Sequence, residues 1–309
     1  MIWHILALVT ACIWGSTFAA SSILISAGLS PAEIMILRFL LAYILMLPFS
    51  HKRMWPKSWR DEVLFLCAGI AGGSLYFLSE NYAIKLTNYT STVALIICTC
   101  PILTALLHRA IWHDSHLSAK FIIGSATALL GVSMVVLNGV FVLDDNPWVI
   151  LLSACAALFW SAYSNILNVL DRRYTSNIIT RKVFFWGVVT MLPVCISDIA
   201  HGQSNLIQAS AINWQLLTSP TVVTTLFFLS VIASLGCFLT WNIVCKRLSV
   251  VTASNYLYFN PVTSLWMGAM LLGERATWPA IVGCAVTIAG VYLCNKRETS
   301  PKKTKIQHI

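Results

Sequence analysis

Long apolar runs are the feature that most constrains this chain. Ten runs of about 20 mostly apolar residues follow one another with short connections, and a helix of about that length crosses the hydrocarbon core of a bilayer. Lipid offers no partner for unpaired backbone groups, so continuous apolar runs are expected to form helices there. The predicted spans are residues 2–26, 31–49, 62–84, 88–107, 119–139, 147–169, 181–199, 221–245, 250–272 and 277–294.

The composition agrees with a membrane protein. Hydrophobic residues make up 58% of the chain and charged residues only 10%, whereas a soluble domain carries about 25% charged residues. There is too little charge to cover a water-facing surface. The sequence therefore predicts an all-α integral membrane protein whose surrounding partner is the lipid bilayer.

A net charge of +9 could indicate a protein that binds nucleic acid, but the positions of the charges argue against that partner. When the N-terminus is placed in the cytoplasm, only Lys85 and Arg275 of the 20 Lys and Arg residues fall on the outer side, and Arg38 falls within a span. Such a bias toward the cytoplasm is the positive-inside signal. We expect a multi-pass protein of the cell inner membrane, with cytoplasmic N- and C-termini and no nucleic-acid partner.

The two halves of the chain resemble each other. Trp14 in "TACIWGSTF" aligns with Trp160 in "AALFWSAYS", and Pro101 in "CTCPILTALL" aligns with Pro261 in "YFNPVTSLWM". The offset grows across the connection near residues 201–220, as a single insertion there requires. The predicted units are residues 1–140, residues 147–296 and a basic cytoplasmic tail, residues 297–309.

Each half contains five predicted spans. Because five is odd, the second copy enters the membrane in the opposite sense, and the two copies are inverted repeats. Inverted repeats that hold a substrate between them near the membrane midplane are typical of secondary transporters. The pattern predicts alternating access to a central site, and it predicts no catalytic activity.

Three stretches carry a family resemblance. "LLGERATWPAIVGCAVTIAGVYL" in the second half, "IWGSTF" in the first span and "LRFLLA" in the second resemble EamA-type transporters of the drug/metabolite transporter superfamily. The resemblance covers essentially the whole chain. It implies ten helices and transport of small metabolites, often amino acids, with export as the favoured direction. The first half departs from the pattern, because Asp114 stands where the second half has Glu274.

Two charged residues are expected inside the membrane. Arg38 lies about seven residues into the second span, and Glu80 lies near the outer end of the third at a similar depth. Intramembrane charges are costly and usually functional or paired, so we expect an Arg38–Glu80 pair. It could clamp the two spans together, or it could meet an anionic substrate group or a proton.

Aromatic and amide residues recur at helical spacing in several spans, a pattern typical of either a pocket or of hydrogen bonds between helices. The stretch "ASNYLYFNPV" concentrates them in the ninth span. We predict that they line a central pocket for a small-molecule substrate. Together with Arg38 and Glu80, the predicted substrate-binding residues are Trp14, Thr17, Tyr76, Asn81, Trp160, Tyr163, Trp241, Asn255, Tyr256, Tyr258 and Asn260.

Prolines and glycines have predicted structural roles. Pro101 and Pro261 are expected to kink their helices, since proline lacks the N–H that a helix needs; at Pro261 this leaves the carbonyl of Leu257 without its partner. The small residues expected to allow close helix packing are Gly124, Gly131, Gly283 and Gly290.

Two other classes stay open. The stretch "HRAIWHDSH" could support a membrane enzyme or a metal site, although a solvated loop is the expected interpretation. The chain could also be a scaffold that transports nothing. The preferred expectation is a monomer or weak homodimer without metal or cofactor, and the alternative site would use His108, His113, Asp114 and His116.

Overall fold

The computed structural model describes residues 1–49, 56–87, 90–112, 118–137, 146–208, 211–272 and 277–295. Over these residues the chain is almost entirely helical. The exception is an antiparallel pair of two-residue strands, β1 (Ile207–Gln208) and β2 (Ala211–Ile212). This strand pair lies in the long connection between the seventh and eighth helices, whereas the sequence predicts an all-α protein without strands.

The first half supplies five helices. The helices α1 and α2 are Ile2–Ser26 and Pro31–Met46, and a 3₁₀ turn, Leu47–Phe49, extends α2. The third helix, α3, is Trp59–Leu86 and contains a π-helical stretch. The fourth and fifth are α4, which is divided into Thr90–Ile97 and Cys100–Trp112, and α5, Ala119–Leu137.

The second half repeats this order. It comprises α6 (Pro147–Leu170), α7 (Ser176–Ala200), a single turn (Trp214–Leu217), α8 (Pro220–Leu248), α9 and α10 (Trp278–Asn295). The ninth helix, α9, is composite: its parts are Val250–Ser254, the 3₁₀ stretch Asn255–Phe259 and Asn260–Leu272.

Eight helices among the described residues are long and apolar enough to cross a membrane. They are all except α2, which has 16 residues, and α9, which the 3₁₀ stretch interrupts. The prediction of an integral, multi-pass helical protein is therefore confirmed. Ten complete crossings stay a prediction, which depends on α2 and α9.

Local sequence explains where α2 begins. Ser30 Oγ accepts from the backbone N–H of Glu33 at 3.2 Å, and Glu33 Oε2 accepts from the Ser30 N–H at 2.7 Å. This reciprocal capping box provides acceptors for two backbone N–H groups that have no partner within the helix, and Pro31 occupies the first helical position. Nearby, Asn205 Nδ2 donates to the carbonyl of Gly28 at 2.8 Å, which joins the long connection to the end of α1.

The described chain starts and finishes at the same end of the bundle. His4 Nδ1, near the start of α1, lies 2.6 Å from the Tyr256 hydroxyl in α9. Asn255 Nδ2 donates to Asn295 Oδ1, at the end of α10, at 2.9 Å. We call this the terminal end, and the opposite end, where α1 ends and α2 begins, the far end.

The helices α1 and α6 run in opposite directions. Tyr174 lies four residues after the end of α6, and its carbonyl accepts from Lys246 Nζ at 3.2 Å. Arg247, the neighbour of Lys246 in sequence, has its guanidinium carbon 5.3 Å from the ring centroid of Trp3 at the start of α1. Since α6 ends at the terminal end and α1 begins there, the first helices of the two halves point oppositely.

Irregular helix geometry recurs in matching helices. The third helix of each half has a π-helical stretch, Ile70–Leu75 in α3 and Phe228–Gly236 in α8. The fourth helix of each half is interrupted shortly before its proline, Pro101 in α4 and Pro261 in α9. Irregular turns of this kind inside helices frequently mark functional sites.

The fifth helices of the two halves, α5 and α10, pack backbone against backbone. A Cβ added to Gly131 would lie 2.4 Å from the Thr287 nitrogen, and one added to Gly283 would lie 2.6 Å from the Gly131 carbonyl. Gly124 and Gly290 are equally close to the opposing helix. Such an approach is open only to residues without a side chain.

Candidate functional site

A small cavity lies where the middles of five helices meet. Its volume is about 20 Å³, enough for one water molecule. Its walls are mainly aromatic and apolar, with a threonine, an asparagine and a thiol between them. The lining residues are Trp14, Thr17 and Phe18 of α1, Tyr76 and Phe77 of α3, Ile97 and Cys100 of α4, Trp160 of α6, and Leu257 and Asn260 of α9.

Aromatic rings in mutual contact form one wall of the cavity. The ring centroids of Trp14 and Trp160 are 5.0 Å apart at 85°, and those of Tyr76 and Trp160 are 4.9 Å apart. Both distances suit favourable edge-to-face or tilted aromatic contacts. Trp14 Nε1 donates to the carbonyl of Ala233 at 2.9 Å, whereas the buried Trp160 Nε1 has no partner among the described residues.

The face of α1 explains how Trp14 and Thr17 reach the cavity. Thr10, Trp14, Thr17 and Ser21 follow helical spacing on one face, and all four are buried. The absence of a side chain at Gly15 allows α9 to pack closely against α1, because a Cβ there would lie 1.8 Å from Thr263 Oγ1.

Arg38 and Glu80 are both buried, each 1% exposed. Arg38 Nε donates to Ser234 Oγ at 2.5 Å, and its guanidinium carbon lies 4.3 Å from the centroid of Phe77. Glu80 shares a hydrogen bond with Tyr76, four residues earlier on α3.

The direct Arg38–Glu80 ion pair expected from the sequence is wrong. The ion pairs among the described residues, with nitrogen and oxygen within 4.0 Å, do not include these two side chains. The physical reason is competition, because Ser234 and the face of Phe77 hold the guanidinium while Tyr76 holds the carboxylate. The two charges still attract each other through space.

Several polar atoms around this pair have no hydrogen-bond partner within the described chain. They are Nη1 and Nη2 of Arg38, Oε1 of Glu80, and both amide atoms of Asn81. A buried charged or amide group without a partner is costly. These buried groups are therefore incompletely compensated within the described chain. Asn81 follows Glu80 directly in sequence but does not line the cavity.

Tyr163 and Trp241 lie behind the cavity wall. The ring of Tyr163 is 5.2 Å from that of Trp160, and its hydroxyl donates to Asn242 Oδ1 at 3.1 Å. Asn242 Nδ2 in turn donates to Thr180 Oγ1 at 2.7 Å, which connects α6, α8 and α7. Trp241 packs on Trp14 with centroids 5.0 Å apart, so both predicted pocket residues support the wall instead of facing the cavity.

The stretch "ASNYLYFNPV" divides between three environments. Asn255 and Tyr256 bond to other helices at the terminal end, and Tyr258 is fully buried in a cluster with Cys98 of α4 and residues of α5 and α10. Only Asn260 of the predicted residues there lines the cavity. The cause is the 3₁₀ stretch, in which successive side chains turn by about 120° and not 100°, so helical spacing assigns the faces incorrectly.

Sequence reasoning missed the apolar part of the site. Phe18, Phe77, Ile97, Cys100 and Leu257 line the cavity, yet in an apolar chain such residues give no signal of their own. The one available signal is sequence position, because Phe18 follows Thr17 and Phe77 follows Tyr76 directly.

Of the four residues of the alternative metal or enzyme site, only His108 lies among the described residues. His108 Nδ1 lies 3.2 Å from Asn165 Oδ1, and its ring stacks on Trp112 at 4.5 Å. His113, Asp114 and His116 fall outside the described residues, as do Glu274 and Arg275. Within the described part of the chain, no group of three or more His, Cys, Asp or Glu residues could hold a metal ion.

Charged contacts join helices at the terminal end. Arg173 Nη1 lies 2.5 Å from Asp61 Oδ1, and the Tyr174 hydroxyl donates to Asp61 Oδ2 at 2.7 Å. Lys182 Nζ lies 2.7 Å from Glu62 Oε2. These bonds tie the start of α3 to α7 and to the α6–α7 connection.

Asp171 also lies at this end, directly after α6, and is only 7% exposed. Neither of its carboxylate oxygens has a hydrogen-bond partner in the described chain. Burial raises the pKa of Asp171 to about 6, although the nearby charge of Lys246 acts in the opposite direction.

Comparison with known proteins gives consistent results. Residues 1–137 and 147–296 each match the EamA-like transporter family. A probable terminal-alkyne amino-acid exporter of Streptantibioticus cattleyicolor is 28% identical, with 92% of this chain and 90% of that protein covered. A probable amino-acid metabolite efflux pump of Salmonella typhimurium is 25% identical, with 93% of each covered.

One solved structure supports the fold independently. It aligns with a TM-score of 0.72 at 18% identity, and the alignment covers 95% of this chain and 97% of the other. At this identity the likeness establishes a shared fold alone.

Proposed function

The chain belongs to the EamA-like transporter family, and from that premise we propose that it carries a small organic metabolite, such as an amino acid, across the membrane. The proposed mechanism is alternating access between two inverted five-helix repeats. Export is the proposed direction, because relatives that match most of the chain are named as a probable exporter and as probable efflux pumps.

The observation that carries the proposal is the composition of the cavity wall. Trp14 comes from the first half and Trp160 from the aligned position of the second, and their rings meet at 5.0 Å. Leu257 and Asn260 close the cavity against Tyr76 and Phe77. A site shared by two halves opens to one side or the other when the halves rock against each other.

The geometry of matching helices supports inverted repeats. The first helices of the halves run oppositely, and the third and fourth helices carry irregular stretches in corresponding places. These features favour the division into residues 1–140 and residues 147–296. The tail, residues 297–309, lies outside the described chain.

The orientation is proposed from charge. Arg173, Lys182, Lys246 and Arg247 all lie around the terminal end, which the positive-inside rule assigns to the cytoplasm. We therefore propose an inner-membrane protein with cytoplasmic termini. Its proposed partners are the bilayer and a small substrate, and it acts as a monomer or weak homodimer without nucleic acid, cofactor or catalytic activity.

Flux into and out of proteoliposomes tests the proposal. We expect purified protein to move at least one member of a metabolite panel, and Trp160→Ala to lower that flux at least tenfold through loss of the aromatic wall. Trp148→Ala is the matched control, since Trp148 lies on the same helix and is 62% exposed. Correctly folded protein that moves no metabolite would favour the scaffold alternative.

A further inference from the structure

We propose that Arg38 and Glu80 form a subsite for the zwitterionic head group of an α-amino acid, with Arg38 binding its carboxylate and Glu80 its ammonium group. This inference rests on the proposed function and names its substrate class. It follows from which atoms of these buried side chains are bonded and which are not.

Arg38 is fixed at one nitrogen and open at two. Nε donates to Ser234, and the guanidinium plane lies against Phe77, so the side chain is held in place. Nη1 and Nη2 have no partner among the described residues. A guanidinium with open terminal nitrogens is the geometry that binds a carboxylate through two parallel hydrogen bonds.

Glu80 has the complementary arrangement. Tyr76 holds the carboxylate through one hydrogen bond, while Oε1 is buried without a partner in the described chain. An ionised carboxylate only accepts hydrogen bonds, so its open oxygen calls for a donor. An ammonium group supplies both the donor and the opposite charge.

Arg38 and Glu80 do not form an ion pair within 4.0 Å, and this separation favours a ligand that bridges them. The clamp that sequence reasoning left open would need direct contact between the side chains, and that contact is not formed. Two buried opposite charges that stay apart leave each of them incompletely compensated. A ligand that carries a negative and a positive group on one carbon atom, as an α-amino acid does, compensates both charges at once.

Other buried carboxylates of the described chain differ from Glu80 in their hydrogen bonds or in their position. Glu33 accepts from Ser30 through one oxygen and from Ser204 through the other. Asp61 is likewise bonded at both oxygens, to Arg173 and Tyr174. Asp171 also has open oxygens, but it lies at the helix end and away from the cavity wall.

Two residues connect this subsite to the cavity. Tyr76 and Phe77 both line the cavity; Tyr76 bonds to Glu80 and Phe77 packs on Arg38. The head group would therefore bind beside the aromatic wall, with the amino-acid side chain directed into the cavity. The cavity of about 20 Å³ must widen to admit that side chain, as separation of the two halves would allow.

Binding of matched analogues tests the inference. The standard L-amino acids are screened against the purified full chain by calorimetry, and the tightest is compared with its decarboxylated amine and its deaminated acid. We expect each analogue to bind about 10- to 100-fold more weakly, as loss of one charged hydrogen-bonded contact predicts. Equal binding of amino acid, amine and acid would overturn the inference even if no variant folded.

Substitutions test which side chain binds the carboxylate of the ligand and which binds its ammonium group. Arg38→Gln should weaken binding of the amino acid and the acid about tenfold or more while leaving the amine unchanged, and Glu80→Gln should spare the acid instead. Glu33→Gln is the matched control, since it makes the same change at a buried carboxylate that is bonded at both oxygens; it should preserve discrimination. A uniform loss for all three ligands in both site variants would contradict the assignment.

The proposed function and this inference fail differently. If metabolites other than amino acids move and no amino acid binds, transport stands and the head-group subsite is wrong. If an amino acid binds with the expected discrimination but nothing moves, the subsite stands and transport is wrong.

Discussion

The thiol of Cys98 in α4 donates to the backbone carbonyl of Leu257 in α9, with sulfur and oxygen 3.6 Å apart. This is the carbonyl that loses its helical partner because Pro261 has no N–H. The backbone N–H of Asn260 also reaches it, as a 3₁₀ turn allows. The interrupted helices of the two halves are thus joined at their interruptions.

Removing the Cys98 thiol should destabilise this junction. We expect Cys98→Ala to lower the free energy of unfolding by about 1 kcal/mol, since a buried acceptor loses a donor, and Cys98→Ser to retain most of it. Thermal unfolding in detergent measures both changes. Cys155→Ala, at a partly exposed cysteine of α6, is the control, and greater damage from serine than from alanine would contradict this interpretation.

Enlarging Gly131 should separate α5 from α10. The added Cβ of Gly131→Leu would meet the Thr287 nitrogen at 2.4 Å, and overpacking of this kind costs about 1–3 kcal/mol or more. We expect lower expression and a lower Tm by fluorescence-detected size exclusion. Leu130→Phe, at a neighbouring side chain that is 65% exposed, should behave like wild type; a tolerated Gly131→Leu would refute the close contact.

Asp171 should make stability depend on pH. Burial raises its pKa from 3.8 to about 6 in the folded protein, so the folded state binds the proton more tightly than the unfolded state does. The contribution to stability is complete below pH 4 and is lost as the pH rises through 6. We expect Asp171→Asn to match wild type near pH 4 and to have a higher Tm at pH 7, by an amount equivalent to about 1 kcal/mol after solvent screening.

The comparison is made by differential scanning fluorimetry between pH 4 and pH 8. Asp198→Asn serves as the reference for a buried carboxylate at the far end, where Asp198 Oδ2 accepts from Ser30. A Tm difference between Asp171→Asn and wild type that is independent of pH would show that the carboxyl group does not titrate as stated.

Breaking the Glu62–Lys182 contact should open the terminal end. Lys182→Gln removes the charge that lies 2.7 Å from Glu62 Oε2, and we expect faster alkylation of Cys100, which lines the cavity and is 1% exposed. Peptide mass spectrometry resolves Cys100 from the other cysteines. Ser30→Ala, which breaks a far-end contact with Asp198, is the comparison, and an unchanged rate in Lys182→Gln would argue against closure by this ion pair.

Much of the architecture could be predicted because lipid offers no hydrogen-bond partner to the backbone, so that few structures other than helices can cross it. The length of the apolar runs predicts the helices. Trp14, Thr17, Tyr76, Trp160 and Asn260 line one cavity, and their role in substrate binding stays a prediction. Side-chain rotation could not be predicted. Depth along a helix says nothing about competitors such as Ser234, which holds Arg38 away from Glu80.

The ninth helix shows the second limit. A spacing rule based on 100° per residue fails where the helix changes to 3₁₀ winding before a proline. Helical spacing therefore predicts that Tyr258 lines the pocket, whereas it packs toward α5 and α10. Residues whose environment depends on a local change of helix type lie beyond periodicity arguments.

The packing of α5 on α10 has a consequence for how such a protein can change over time. Neither helix supplies a residue to the cavity wall, while glycines leave their contact almost no freedom to vary. The close helix packing and the cavity wall are therefore encoded in separate parts of the chain. Substitutions around the cavity can therefore change its shape without separating α5 from α10.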